Sequence, residues 1–246
     1  MGPYKLVALD MDGTLLNNRQ QISDGNRQAI RDLTKQGIPV VLSTGRGLFS
    51  VMPFVEELRL NDPLITVNGS EVWEHPGKLR KRVPLKPETV ARLKRLAVQY
   101  DTWFWGYTVD GMFNKENWAE DIFAREWLKF GYYAEDSAIL KKILQEISQW
   151  GVLEITNSHP NNLEVNPRGV SKASGLNEVC ALLGVRMSEI VAIGDSLNDL
   201  AMIQSVGLGV AMGNSQEEVK RAARLTTLTN EEDGVVKIIR EHVLGD

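Results

Sequence analysis

Lys5-Leu6-Val7-Ala8-Leu9-Asp10-Met11-Asp12-Gly13-Thr14-Leu15 decides how the rest of the chain is read. A short apolar run ends abruptly on two carboxylates one residue apart, and a glycine follows. Uninterrupted apolar strands are those covered on both faces, as in parallel sheets between helices. Open α/β sheets bind ligands outside the carboxyl ends of such strands. The acidic pair therefore stands where a sheet of this kind keeps its site. An isolated Asp-x-Asp is usually a solvated turn, because Asp and Gly are ordinary loop residues. Its meaning depends on what the remaining chain places beside it.

Outward from that strand, Ser23 opens a segment whose Ala29, Ile30 and Leu33 share one helical face before Gly37 stops it. Ile38–Leu42 and Leu64–Val67 read as further buried strands, with a helical pattern from Leu48 to Leu60 between them, interrupted by Pro53. The alternation returns late in the chain. Helices are expected at Ser171–Leu183, Leu197–Gln204, Glu217–Ala223 and Val235–Val243, and strands at Ile190–Ile193 and Leu208–Ala211. The fold class is α/β, a doubly wound Rossmann-like core around a parallel sheet.

From about Pro84 to Arg168 the texture changes. Apolar runs shorten, aromatics cluster at Trp103, Phe104, Trp105 and Tyr107 and again from Trp118 to Tyr133, and Val152–Thr156 and Asn162–Val165 read as neighbouring strands. Pro84 and Pro87 mark the entry and Asn166-Pro167-Arg168-Gly169 the exit. The expected organisation is a core of residues 1–84 and 169–246, with an inserted α+β module at 85–168.

Other strand ends and helix starts carry compatible chemistry. Ser43-Thr44-Gly45-Arg46 offers hydroxyl, backbone and guanidinium donors to a phosphate. Gly194-Asp195-Ser196-Leu197-Asn198-Asp199 places two carboxylates four residues apart at the mouth of a helix. Lys172 opens the helix that re-enters the core and can reach the same rim as a point charge. These clusters converge on one crevice.

Composition narrows the choice of partner. Of 246 residues, 43% are hydrophobic and 24% charged, as in soluble globular domains. With 28 basic and 32 acidic residues the net charge is −4, which gives no general attraction to nucleic acid or anionic lipid. The basic Lys78–Arg82 stretch reads as a solvated β-hairpin beyond Gly77. The single cysteine, Cys180, rules out an internal disulfide and suits a reducing cytoplasm. No apolar stretch reaches the roughly 20 residues of a membrane span, and the start of the chain does not read as a signal peptide. His75, His159 and His242 are scattered, so any metal is expected to be bound by oxygen.

In order and spacing, Asp10-Met11-Asp12-Gly13-Thr14-Leu15, Thr44-Gly45-Arg46, Asn68-Gly69, Gly169-Val170-Ser171-Lys172, Gly194-Asp195-Ser196-Leu197-Asn198-Asp199 and Val210-Ala211-Met212-Gly213-Asn214 together resemble the haloacid dehalogenase superfamily of phosphatases. The resemblance is to the Cof-type branch, which carries a large cap between its second and third motifs. It implies that Asp10 is the nucleophile, forming an aspartyl-phosphate, and that Asp12 is the general acid and base. It implies phosphate contacts from Met11, Thr44, Gly45 and Asn198, with Lys172 neutralising nucleophile and phosphate together. Mg²⁺ is implied as the cofactor, held among Asp10, Asp12, Asp195 and Asp199, with Asp12 contributing through its carbonyl.

For Arg46 a substrate or cap contact stands beside a solvated loop charge, and for Asn68 the rim of the site stands beside a simple turn. The expected activity is Mg²⁺-dependent hydrolysis of a small phosphate monoester, a sugar phosphate or a phosphorylated cofactor. A phosphomutase or phosphotransferase with the same intermediate, and a non-catalytic phosphometabolite sensor, are the alternatives. The expected partner is a small phosphorylated metabolite rather than nucleic acid or membrane, and a weak homo-oligomer is left open.

Overall fold

The computed structural model describes residues 3–245. Strand β1 (Leu6–Leu9) is buried along its whole length and pairs in parallel with β2 (Val40–Ser43) on one side and β11 (Ile190–Gly194) on the other. The parallel array continues through β3 (Leu64–Thr66) beyond β2, and through β12 (Leu208–Ala211) and β13 (Leu225–Thr226) beyond β11. The chain winds outward in both directions from β1, so the topological switch point lies at the end of the strand that carries Asp10.

Alternation along the strands explains the continuous apolar runs. Val7 and Leu9 pack on one face against Ala29, Ile30 and Leu33 of helix α1 (Asp24–Lys35) and Val51 and Val55 of α2 (Leu48–Leu58). Leu6 and Ala8 point to the opposite face, against Leu176 and Val179 of α5 (Lys172–Leu183) and Met202 of α6 (Leu197–Ser205). Ser23 caps α1 by accepting a hydrogen bond from the Asn26 N–H, and Ser171 and Ser174 form a reciprocal capping box on α5.

The doubly wound core around a parallel array is as expected, and the structure adds to its edge and moves several bounds. The sheet is mixed, because β4 (Glu71–His75) and β5 (Lys78–Arg82) add an antiparallel hairpin beyond β3. The edge strand β5 is indeed mostly exposed, and its Lys78, Arg80 and Lys81 pair with Glu74 and Glu178. Val67 leaves the sheet for a 3-10 turn over Val67–Gly69, in which Asn68 adopts a left-handed conformation with φ 58°. Strand β2 starts at Val40 rather than Ile38. Helix α2 runs through Pro53, the missing N–H being offset by burial of Val51, Val55 and Leu58. Helix α7 spans Glu217–Ala222, and the final helical segment is α8 (Gly234–Ile238) followed by a π-type turn over Ile239–Leu244.

A second, antiparallel sheet has the order β7 (Gly111–Asn114), β6 (Trp103–Thr108), β8 (Trp127–Tyr133), β10 (Asn162–Pro167), β9 (Leu153–Thr156). Helices α3 (Pro87–Gln99) and α4 (Ser137–Ser148) cover one of its faces. Period-two alternation sorts the aromatics. Phe104, Phe130 and Tyr132 face the helices in their own core with Trp127, whereas Trp103, Trp105 and Tyr107 line the crevice on the other side. That second face is turned toward the ends of β1 and β2.

Candidate active site

Asp10 follows β1 directly, and its backbone N–H donates to the Ile193 carbonyl, which fastens the end of β1 to that of β11. Asp195 follows β11. Between them lies Gly13 at φ +78°, where a Cβ would sit only 2.5 Å from Asp195 Oδ2. Left-handed backbone and lack of space both demand glycine there. Asp10, Asp195 and Asp199 bring carboxylate oxygens within 4.8 Å of one another, the sole such cluster of potential metal ligands among the described residues. No histidine joins it.

Lys172 is wholly buried, and its Nζ donates to Asp10 Oδ1 at 2.5 Å and to Asp199 Oδ1 at 2.6 Å. The other Asp199 oxygen accepts the backbone N–H groups of Asp195 and Ser196, at 3.0 and 3.1 Å. Asp199 is thus occupied in holding Lys172 and the loop after β11. Asp10 Oδ2, by contrast, is buried and has no hydrogen-bond partner.

Electrostatics sharpen the contrast. Burial pushes the Asp10 carboxyl up, the nearby Asp199 adds to it, and Lys172 only partly opposes them. Asp195 is raised by burial and then by Asp10 and Asp199. For Lys172 burial acts downward, but the attraction of Asp10 and Asp199 overrides it and holds the ammonium charged. Two carboxylates this close in a dry site cannot both ionise cheaply without a further cation. An unpartnered carboxylate oxygen on Asp10 beside Asp195 is a hard, anionic donor set of the kind that suits Mg²⁺.

The Asp12 side chain does not join that cluster. It turns to Arg46, which donates from Nε to Oδ2 at 2.8 Å and from Nη2 to Oδ1 at 2.6 Å, and Arg46 also bonds Gln20. Burial would raise Asp12, but Arg46 draws it below the usual carboxylate value. The Arg46 guanidinium is committed to Asp12 and lies over the Phe54 ring. Thr44 is buried at the end of β2, and its Oγ1 accepts from the Arg46 N–H at 3.1 Å. Met11 is buried, with its side chain in the apolar core.

Asn68 is a buried rim residue as well as a turn. Its Nδ2 donates to Glu164 Oε2 at 2.7 Å, and its Oδ1 accepts from Asn198 Nδ2 at 3.4 Å. Glu164, on β10, is bridged at 2.9 Å by Lys129 of β8, whose Nζ also donates to the Gly45 carbonyl at 2.7 Å. The sequence reading missed Lys129 and Glu164. Their only signal was charge at alternating positions in otherwise apolar strands, which resembles a solvated face.

A crevice of about 420 Å³ lies between the two sheets. One wall holds Asp10, Asp12, Gly45, Arg46 and Asn198, and the other Trp103, Trp105, Tyr107, Asn162 and Glu164. The Trp105 indole packs on Gly131, where any Cβ would strike the ring.

The profile of the haloacid dehalogenase-like hydrolases matches residues 7–143 and 114–239. The chain is 48% identical over 240 residues to a 5-amino-6-(5-phospho-D-ribitylamino)uracil phosphatase of Bacillus subtilis, covering 98% of this chain and 96% of that protein. A second phosphatase of the same description from B. subtilis is 31% identical over 280 residues, covering 98% and 97%. The solved structure of a haloacid dehalogenase-like hydrolase from B. subtilis superposes with a TM-score of 0.87 at 26% identity, covering 97% and 99%. No helix among the described residues is long and apolar enough to cross a membrane. The chain belongs to the haloacid dehalogenase-like hydrolases, and within them it is a phosphatase of the Cof type, hydrolysing phosphoric monoesters.

Proposed function

We propose that the crevice hydrolyses the phosphate ester of a polyol chain ending in a planar heterocycle, in the manner of its 5-amino-6-(5-phospho-D-ribitylamino)uracil phosphatase relatives. The observation that carries the reading is that Asp10, backed at 2.5 Å by the buried Lys172, faces the indole of Trp105 across one crevice. A phosphoryl group seated on Asp10 sends its leaving group toward the second sheet. There Trp105 and Tyr107 offer flat apolar surface for a ring, while Asn114, Ser158 and Asn162 offer hydrogen-bonding groups for hydroxyls. Residues 85–168 act as the cap that closes over the phosphate. The setting is a reducing cytoplasm, in keeping with the single unpaired Cys180.

In this reading one oxygen of the Asp10 carboxylate attacks phosphorus to give an aspartyl-phosphate while the alcohol leaves. Asp12 protonates that alcohol and then draws a proton from the attacking water. Thr44, the Met11 and Gly45 N–H groups and Asn198 hold the phosphate oxygens, and Lys172 counters charge on nucleophile and phosphate together. Asp10, Asp195 and the Asp12 carbonyl would hold Mg²⁺, which when bound offsets the repulsion between carboxylate and phosphate. Asp199 holds Lys172 and the loop that carries Asp195.

Phosphate release from 5-amino-6-(5-phospho-D-ribitylamino)uracil, measured beside a panel of sugar phosphates in Mg²⁺, tests the assignment. The expected result is the largest kcat/KM on the ribitylaminouracil ester. A higher kcat/KM on simple sugar phosphates would overturn it.

A further inference from the structure

The second sheet buries two opposite charges, Lys129 and Glu164, each at most 5% exposed. Packing alone does not call for them. A buried ion pair commonly adds no more stability than apolar residues of the same volume, because desolvation offsets the attraction. What distinguishes this pair is where its remaining bonds go. Lys129 Nζ reaches out of the cap to the Gly45 carbonyl at 2.7 Å, and Glu164 Oε2 receives the Asn68 amide at 2.7 Å. Both contacts land on the core, and each lands one step from a group assigned to phosphate.

The Gly45 carbonyl belongs to the same peptide plane as the Arg46 N–H, and that N–H donates to Thr44 Oγ1. Pinning the plane fixes one bond that the Thr44 hydroxyl accepts and leaves its own proton for another acceptor. On the other arm, Asn68 Oδ1 takes one Nδ2 proton of Asn198 and leaves the second available. The fit over Gly45 is close. A Cβ there would lie 3.0 Å from Asn68 Oδ1 and 3.2 Å from Lys129 Nζ, so cap and core groups meet directly over this residue.

We propose that Lys129 and Glu164 are positioning residues, which assemble the phosphate grip of Thr44, Gly45 and Asn198 from across the interface between the sheets. The grip is complete only when the cap is seated, so donors aimed at the phosphoryl oxygens are ordered at the moment that water is excluded. The inference rests on the assignment of those three residues to phosphate.

The test uses one ligand with nothing for the cap to recognise and one whose ring can meet the Trp105 face. These are inorganic phosphate as an inhibitor and an aryl phosphate as substrate, each with Mg²⁺. Lys129→Met is expected to raise the inhibition constant of phosphate and the KM for the aryl ester together by about tenfold, the loss of one charge-assisted bond. Lys129→Arg should restore most of it. The double variant Lys129→Met/Glu164→Leu, which leaves no unpaired buried charge, should melt close to the parent yet keep the weakened phosphate affinity.

If the double variant binds phosphate as the parent does, or if Lys129→Met weakens only esters with large leaving groups, the pair is structural or a leaving-group contact and the proposal is overturned. Thr44→Val calibrates the grip itself. Should it leave phosphate affinity unchanged, the assignment of the grip fails and the proposal with it. A weakened Thr44 variant beside an unaffected double variant overturns the positioning role alone.

Discussion

Arg46 grips the Asp12 carboxylate through two parallel bonds, Nε to Oδ2 and Nη2 to Oδ1. The pairing holds Asp12 ionised and turned from Asp10, the opposite of what an acid must be when the alcohol leaves. If Asp12 is the acid, as proposed, Arg46 would have to loosen its hold as substrate enters. Its guanidinium is then free for the incoming anion, a fork geometry that lysine cannot reproduce.

Arg46→Met should raise the pKa of Asp12, because the partner that lowers it is gone. As Asp12 must be protonated to release the alcohol, the alkaline limb of the kcat/KM profile should move to higher pH, with a lower maximum. A pH–rate profile of the variant checks this, and an unmoved limb would separate Arg46 from the acid.

Removal of metal should abolish turnover, and Mg²⁺ should restore it. Because Asp10 and Asp195 repel one another in the metal-free protein, Mg²⁺ at about a hundred times its Kd should stabilise the fold by roughly 2.7 kcal/mol, a rise of several degrees in Tm. Asp195→Asn should melt above the metal-free parent and lose most of the response to Mg²⁺. Thermal melts across a Mg²⁺ titration measure both.

The cap aromatics divide by the face they occupy. Trp127 is fully buried beside Trp118, and Trp127→Ala should cost about 3–5 kcal/mol. Trp105→Ala should leave the melt closer to the parent and change the ranking of substrates. Melts run beside a panel of esters separate the two effects.

Glu164 carries its own pH dependence. Burial acts to raise its carboxyl, but Lys129 and the Asn68 amide together hold it below the ordinary value. Its contribution to stability is thus present above the unfolded glutamate pKa, about 4.3, and is lost as pH falls through the lower folded value. The difference in urea midpoint between the parent and Glu164→Gln should be full at neutral pH and shrink below about pH 4.

The core was legible because its chemistry sits where local pattern ends. Asp10, Thr44 and Asp195 each close an apolar run, and Lys172 follows a helix cap, so position in sequence and position at the rim coincide. The antiparallel hairpin β4–β5 was not read as part of the sheet, since Glu71, Glu74 and His75 break the apolar run that marks buried strands. Lys129 and Glu164 were hidden for a different reason. Neither has a local motif, and their meaning arises only when β8 and β10 pair and that sheet meets the loops after β2 and β3. The turn of the Asp12 side chain toward Arg46 likewise depends on where the loop after β2 sets the guanidinium, which spacing alone does not express.

The covalent step is the centre of the account, and it is tested most directly by rapid acid quench and peptide mass spectrometry during turnover with Mg²⁺. With an aryl phosphate, whose leaving group departs without a proton, the Asp12→Asn variant lacks only the base for the second step and should accumulate one phosphoryl group on the peptide that contains Asp10, and Asp10→Asn should show neither label nor turnover. Phosphoryl transfer to another residue, or a parental rate in an Asp10→Asn preparation shown to be free of deamidation, would contradict it.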